Sequence, residues 1–245
     1  MSIRPVGRLA REDDEVKIAL VCLPFAGAGA SFFQQWPARA GDRFAVVPLQ
    51  LPGRERRIDD EPYRDAQVAA DELLSDLVRQ LGGLTDVVLF GHSMGAVLAY
   101  ELAHRVAAHP DLVLRHLFVS GSPEPHTQRP QRATGLRDDE FVAQVTAYAG
   151  FSHEALKDPE MRELILPALR ADVELHENYR PSTNDRLTAP VTSLRGSDDA
   201  LVTAAESARW SEVTGAGFTY VELPGGHMYL TDAAPELLEL IDATC

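Results

Sequence analysis

A single stretch limits this chain more than any other. Asp86–Gly95 reads DVVLFGHSMG, a short apolar run that enters Gly91-His92-Ser93-Met94-Gly95. The pentapeptide fits G-x-S-x-G, the nucleophile elbow, in which a strand ends, the chain reverses sharply and a helix begins at once. The apex residue sits on a strained backbone, so its neighbours two positions away must be small. Gly91 and Gly95 meet that demand, and Ala96–Ala103 (AVLAYELA) reads as the helix that follows. A hydroxyl on such a turn stands above a helix N-terminus, whose free N–H groups favour developing negative charge.

The rest of the chain supplies a matching frame. Val16–Leu23 (VKIALVCL) is a continuous apolar run, as expected of a strand covered on both faces. Residues 1–15 are polar and mixed, an edge strand or a loose arm. Arg43–Leu49 is the next strand, and Phe32–Trp36 opens a helix between the two. Tyr63–Leu81 has an amphipathic helical pattern built on Val68, Leu73, Leu74, Leu77, Val78 and Leu81. After the elbow helix, which runs to about Ala108, Arg115–Ser120 is a further strand. Residues 122–185 contain no convincing strand; Asp138–Tyr148, Asp158–Leu166 and Pro167–Tyr179 read as helices. Pro190–Arg195 resumes the strands, Ala204–Val213 is a helix, Phe218–Leu223 a last strand and Pro235–Ile241 a last helix. Strands alternating with helices imply an α/β class with a mostly parallel sheet wrapped on both faces. The expected organisation is a core of residues 1–121 and 186–245, with a helical insertion at 122–185.

Composition removes several function classes. At 245 residues this is one domain of ordinary size, and a formal net charge of −14 argues against nucleic acid as a partner. No apolar run is long enough to span a bilayer, and the first residues lack a signal-peptide core. The two cysteines, Cys22 and Cys245, make no disulfide framework, so a reducing cytoplasm is expected. No Cys/His cluster has metal-ligand spacing. No cofactor-binding motif is present, and a monomer is expected.

A serine hydroxyl is a weak nucleophile near neutral pH and needs a base, itself oriented by a carboxylate. With this elbow the order along the chain is serine, acid, histidine. Of eight histidines only His227 lies beyond residue 199, in a loop after the final strand. The acid should follow the preceding strand, in Gly196-Ser197-Asp198-Asp199. Asp199 is preferred, because Gly-x-x-Asp with an apolar residue three on, here Val202, is the common spacing; Asp198 is the alternative. An oxyanion needs two fixed N–H donors. The amide of Met94 is one. The other is assigned to Ala26 in the loop after the first long strand, with Ala28 as the alternative.

These residues, taken together, resemble the type II thioesterases, the discrete editing enzymes that accompany polyketide and nonribosomal peptide synthetases. The likeness rests on Leu23–Ala30 (LPFAGAGA), Leu51–Arg57 (LPGRERR), Phe90–Ala96 with Ala99–Leu102 (AYEL), Val119–Ser122, Gly196–Asp199 and Gly225-Gly226-His227. It implies an α/β-hydrolase fold and a Ser93–His227–Asp199 triad. It also implies an acyl group carried on the phosphopantetheine arm of an acyl or peptidyl carrier protein. The arm belongs to the substrate, so no cofactor is called for. Residues 122–185 then become a lid, with Phe141, Val145, Tyr148, Phe151 and Leu164 able to line a chamber and Phe25 at its edge. Carrier proteins are usually acidic, so docking calls for a basic cluster: Arg54, Arg56 and Arg57, or Arg129, Arg132 and Arg137. A general carboxylesterase or lipase shares the triad, and a non-catalytic carrier-binding module would share the fold. Thioester against nitrophenyl ester hydrolysis separates the first; a serine-directed probe separates the second.

Overall fold

The computed structural model describes residues 17–128, 132–149, 156 and 158–245. The expected N-terminal arm at 1–15 lies outside them. Six strands, β1 (Ile18–Leu23), β2 (Phe44–Pro48), β3 (Asp86–His92), β4 (Val113–Ser120), β5 (Val191–Gly196) and β6 (Phe218–Leu223), form one sheet in the order β2-β1-β3-β4-β5-β6. Every pairing is parallel. All six C-terminal ends therefore lie along one edge. The chain steps from β1 outward to β2 and then returns to the other side of β1 as β3. The loops after β1 and β3 thus diverge at a switch point, where an open parallel sheet binds its ligands.

The helices are α1 (Ala66–Leu81), α2 (Met94–Ala108), α3 (Asp138–Ala149), α4 (Pro159–Asn178), α5 (Ala204–Ala208) and α6 (Ala234–Thr244). The strands look continuously apolar because both faces are covered, yet the side chains still alternate. Ala19, Val21, Val87 and Leu89 join the core under α1 and α2, while Leu20, Cys22, Val88 and Phe90 join the core with Phe33, Trp36 and α6. In α1 the buried face is Ala66, Ala69, Ala70, Leu73, Leu77 and Leu81, and Val68 and Val78 point to solvent. The alanines let α1 pack closely on α2, so they displace the two valines that periodicity favoured. Asp65 starts the helix by accepting from the amides of Gln67 and Val68 at 2.8 and 2.9 Å. The expected helix at Phe32–Trp36 is a 3₁₀ turn over Ala30–Phe33, and α5 ends at Ala208 with a 3₁₀ turn to Val213.

Between β4 and β5 the sequence patterns at 158–179 are one helix, not two. α4 runs through Pro167, which is exposed. Proline removes one N–H and frees the carbonyl four residues earlier. That carbonyl belongs to Glu163, also exposed, so water can satisfy it and the helix continues. No helix among the described residues is long and apolar enough to cross a membrane.

His116 on β4 is buried, stacked on Phe118 at 4.4 Å, with Nε2 2.8 Å from Thr192 Oγ1. Burial pushes its pKa down to about 4. The folded imidazole is thus neutral where the unfolded one, near 6.5, takes up a proton. Stability is therefore complete above pH 6.5 and falls as pH drops from 6.5 to 4, by on the order of 3 kcal/mol from this group. His104, also held down by burial, adds to the same window. Urea midpoints for His116→Gln should be lower than wild type at pH 7.5 and show a flatter pH dependence; a parallel slope contradicts the assignment.

Candidate active site

β3 is buried along its whole length and delivers Ser93 at its end. Ser93 has φ 53° and ψ −116°, a left-handed conformation that L-residues seldom adopt. Its neighbours hold it there. The Ser93 amide donates to Ser120 O at 2.8 Å, and its carbonyl accepts from Ala96 N at 3.0 Å. A Cβ on Gly91 would lie 2.0 Å from Gly95 O, and one on Gly95 would lie 2.3 Å from Leu23 O. Both positions are glycine because backbone passes where a methyl group would stand.

His227 and Asp199 arrive on the loops after β6 and β5. Those loops are joined by backbone: Ser197 N donates to Leu223 O at 2.8 Å and Asp198 N to Gly225 O at 2.9 Å. Arg195 fixes the acid loop further, donating to Asp199 O at 3.0 Å and Val202 O at 2.9 Å. His227 Nδ1 is 2.8 Å from Asp199 Oδ2, and His227 Nε2 is 3.3 Å from Ser93 Oγ. The other carboxylate oxygen of Asp199 accepts from the amides of Leu201 and Val202 at 2.8 and 3.2 Å. Burial alone would raise the Asp199 pKa, but the His227 hydrogen bond and charge and the two amides outweigh it and hold the carboxyl below its usual range. Asp198 is exposed, and among the described residues its carboxylate meets only Ser197 Oγ, at 3.4 Å. Of the two candidate acids, then, Asp199 is the one that faces the histidine.

The loop after β1 turns at Phe25–Ala28. The Ala28 amide donates to Phe25 O at 3.0 Å and Gly27 has φ 81°, a type II turn with glycine at its third position. That bond occupies the Ala28 amide. Gly27 N donates to Asp172 at 2.8 Å. Neither the Ala26 nor the Met94 amide donates to another described residue. Both remain available to a ligand at the mouth of the elbow.

Beside this loop is a cavity of 460 Å³. Phe25, Ala26, Phe32 and Met228 form its core side, and Val145, Leu156, Ile165 and Leu169 its opposite wall, with Glu55 and Thr231 as polar groups at the edge. Val145 and Phe25 are among its lining residues. Phe141 is not: it is 1 % exposed, lies under the Arg170 guanidinium at 4.3 Å, and packs with Ala133, Leu166 and Val173. It is core of the helical insertion. Leu164 is 52 % exposed and points away. Phe151 and the Tyr148 side chain fall outside the described part of the chain.

The basic clusters also differ from expectation. Arg54 is buried and pairs with Asp172 at 2.6 Å; Arg57 pairs with Asp60 and Asp76. Only Arg56 of that group is exposed without an acidic partner among the described residues. Arg132 and Arg137 pair with Glu177 and Glu140, and Arg129 lies outside the described residues.

A thioesterase-domain family model matches residues 19–245 of the chain. This chain belongs to the thioesterase family. It is a thioester hydrolase of the α/β-hydrolase fold. It is 31 % identical over 233 residues to the gramicidin S biosynthesis protein GrsT of Aneurinibacillus migulanus, covering 95 % of this chain and 90 % of that one. Among solved structures it resembles RedJ, a thioesterase from the prodiginine pathway of Streptomyces coelicolor. The two are 33 % identical with a TM-score of 0.86, over 99 % of this chain and 97 % of that one. The type II thioesterase BorB of the borrelidin cluster is 35 % identical with a TM-score of 0.83, over 96 % and 94 %.

Sequence patterns missed several groups around the thioesterase site. Splitting α4 at Pro167 hid the i, i+4 pair Ile165 and Leu169, whose spacing marks one helical face. Neither Ser120, quoted only for the family likeness, nor Tyr229 is marked as a site residue by any spacing along the chain. Ser120 Oγ lies 2.8 Å from His92 Nδ1 and 2.7 Å from the Tyr229 hydroxyl, and the His92 ring is 5.0 Å from the His227 ring. This buried chain packs the wall behind His227. Glu101, fully buried on α2, accepts from Tyr179 OH and Ser182 N, each at 2.9 Å, and pairs with Arg105. It ties the chain leaving α4 to α2, which gives the AYEL stretch a physical role.

Proposed function

We propose that this thioesterase removes acyl groups from the phosphopantetheine arm of acyl or peptidyl carrier proteins, using Ser93, His227 and Asp199. The observation that carries the reading is the unbroken contact Asp199–His227–Ser93 beside an apolar cavity. Relatives named for gramicidin S and prodiginine biosynthesis support the carrier-bound substrate. Ser93 Oγ attacks the thioester carbonyl while its proton passes to His227 Nε2. The C–S bond then breaks, and the proton moves from His227 to the departing sulfur. Water, deprotonated by His227, releases the acid and regenerates Ser93. Asp199 holds the imidazole in the tautomer that can accept from serine and stabilises its protonated form. The amides of Met94 and Ala26 hold the oxyanion. The phosphopantetheine is part of the substrate, and the enzyme needs no cofactor of its own. Residues 122–185 act as the lid, with α4 and α3 roofing the acyl cavity.

A hydrolysis panel of acyl groups loaded on carrier proteins, set beside nitrophenyl esters and with Ser93→Ala as control, tests this reading. Carrier thioesters should be turned over with the higher kcat/KM; preference for the esters would favour a general esterase. The cavity wall gives a second expectation. Ile165→Trp narrows the space, so kcat/KM for the longest accepted acyl group should fall by about 10-fold, with acetyl changed less than about twofold. An equal fall for both chain lengths would place the acyl group elsewhere.

A further inference from the structure

The loop that carries the Ala26 amide is not held by the sheet alone. It is held by a side chain of α4. Asp172, 2 % exposed, accepts the Gly27 amide at 2.8 Å. Turns of types I and II differ by a flip of the peptide joining the two central residues, here Ala26–Gly27, and the bond from Gly27 N to Asp172 fixes that peptide in the type II orientation. Asp172 therefore decides how the turn is presented. The same carboxylate takes a two-pronged ion pair from Arg54, Nη1 to Oδ2 at 2.6 Å and Nη2 to Oδ1 at 2.7 Å. Arg54 Nη1 also donates to Ala28 O at 3.1 Å, and its Nε to Pro52 O at 3.2 Å. Three segments far apart in sequence meet at this pair: the turn after β1, the LPGRERR stretch after β2, and α4.

Packing at the same place is tight. A Cβ on Gly27 would lie 3.1 Å from Leu169 Cδ1, one turn before Asp172. On the other side Glu55 accepts from the Ser31 hydroxyl at 2.5 Å, and Gln50 Oε1 accepts the Ala30 amide at 3.3 Å. A bidentate guanidinium–carboxylate pair, desolvated and saturated with further hydrogen bonds, has one good geometry and little slack. We propose that Arg54 and Asp172 are positioning residues that orient the oxyanion-binding turn, so that the seating of α4 sets the rate of chemistry. The proposal rests on the assignment of Ala26 as an oxyanion donor. It gives α4 a second task beside roofing the cavity: only with α4 seated is the donor aimed. Substrate binding depends mainly on the apolar wall, which the pair does not line, so the effect belongs in kcat.

The test uses two acyl-pantetheine analogues: a trifluoromethyl ketone, which forms an oxyanion with Ser93, and a thioether lacking the carbonyl. The variants are Asp172→Asn and the double variant Arg54→Met/Asp172→Leu. The double variant refills the site with apolar atoms, so that no lone charge is left buried and the chain can fold. With its thermal midpoint near wild type, the double variant should bind the trifluoromethyl ketone about 10- to 100-fold more weakly and the thioether within about threefold of wild type. Its kcat should fall in parallel, with KM little changed. Asp172→Asn keeps an oxygen for the Gly27 amide and should recover part of the loss. Wild-type affinity for both analogues in a folded double variant, or an equal loss for both, overturns the proposal. A double variant that does not fold transfers the test to Asp172→Asn, where the same split between analogues is required. If Ser93→Ala binds the trifluoromethyl ketone as tightly as wild type, the serine mechanism itself has failed, and that outcome is distinct.

Discussion

Asp199→Asn should lower kcat by about 10⁴-fold, while Asp198→Asn should leave it within about twofold. The expected size follows from hydrogen-bond directions. Asp199 Oδ1 accepts two amides, from Leu201 and Val202. An asparagine must place its only acceptor oxygen there. Its NH₂ group is then forced onto His227 Nδ1, 2.8 Å away in the native chain. Facing a donor, Nδ1 gives up its hydrogen, and the proton moves to Nε2. The nitrogen that faces Ser93 Oγ at 3.3 Å can then no longer accept a proton from it. Fold and substrate affinity should both survive, because the substitution changes no volume. Single-turnover acylation by an acyl thioester, read beside KM, checks this. A loss below about 10-fold for Asp199→Asn, or a comparable loss for Asp198→Asn, would remove Asp199 from the proposed triad.

The second large effect concerns stability. Gly91→Ala or Gly95→Ala should cost more than about 4 kcal/mol, or yield no soluble protein. The added methyl would meet backbone oxygen at 2.0 Å in the first case and 2.3 Å in the second. Backbone at the crossing of β1, β3 and α2 cannot yield as a flexible side chain can, since it is held by the centre of the sheet. Gly217→Ala supplies the control: its Cβ would have an ordinary contact, 3.7 Å from Pro190 Cβ, and the cost should stay below about 1 kcal/mol. Urea denaturation of the three variants measures the difference. A soluble Gly91→Ala protein with a near-native midpoint would mean that the elbow is looser than its geometry implies.

Much of the site was legible because its parts are local. A glycine two residues on either side of Ser93, a strand before it and a helix after it all fall within one short window. The acid and histidine loops could be located because each follows a strand. Elements read by periodicity fared unevenly for a physical reason. Helical spacing found the α1 pattern but could not know that alanines, through close approach to α2, would take the buried face from Val68 and Val78. Pro167 reads as a break because proline removes an intrahelical hydrogen bond, whereas here that loss falls on the exposed face of α4, at Glu163 and Pro167. Phe141 read as chamber lining because an aromatic on an insertion helix looks the same whether it faces a cavity or the insertion's own core.

Arg54 is the sharpest case. In sequence it belongs to a run of basic residues and invites a docking role. In the folded chain it is 8 % exposed and paired with a carboxylate 118 residues away. The sequence by itself determined the wound parallel sheet, the strained serine turn, and the loops on which acid and base candidates ride. Those features follow from short-range sterics and hydrophobic spacing, which any local window records. Only the tertiary structure decided which of two adjacent aspartates meets His227, which amides of the β1 loop stay free, and that α4 reaches into that loop through Asp172. Such choices depend on where distant segments cross, and no periodicity along the chain encodes a crossing.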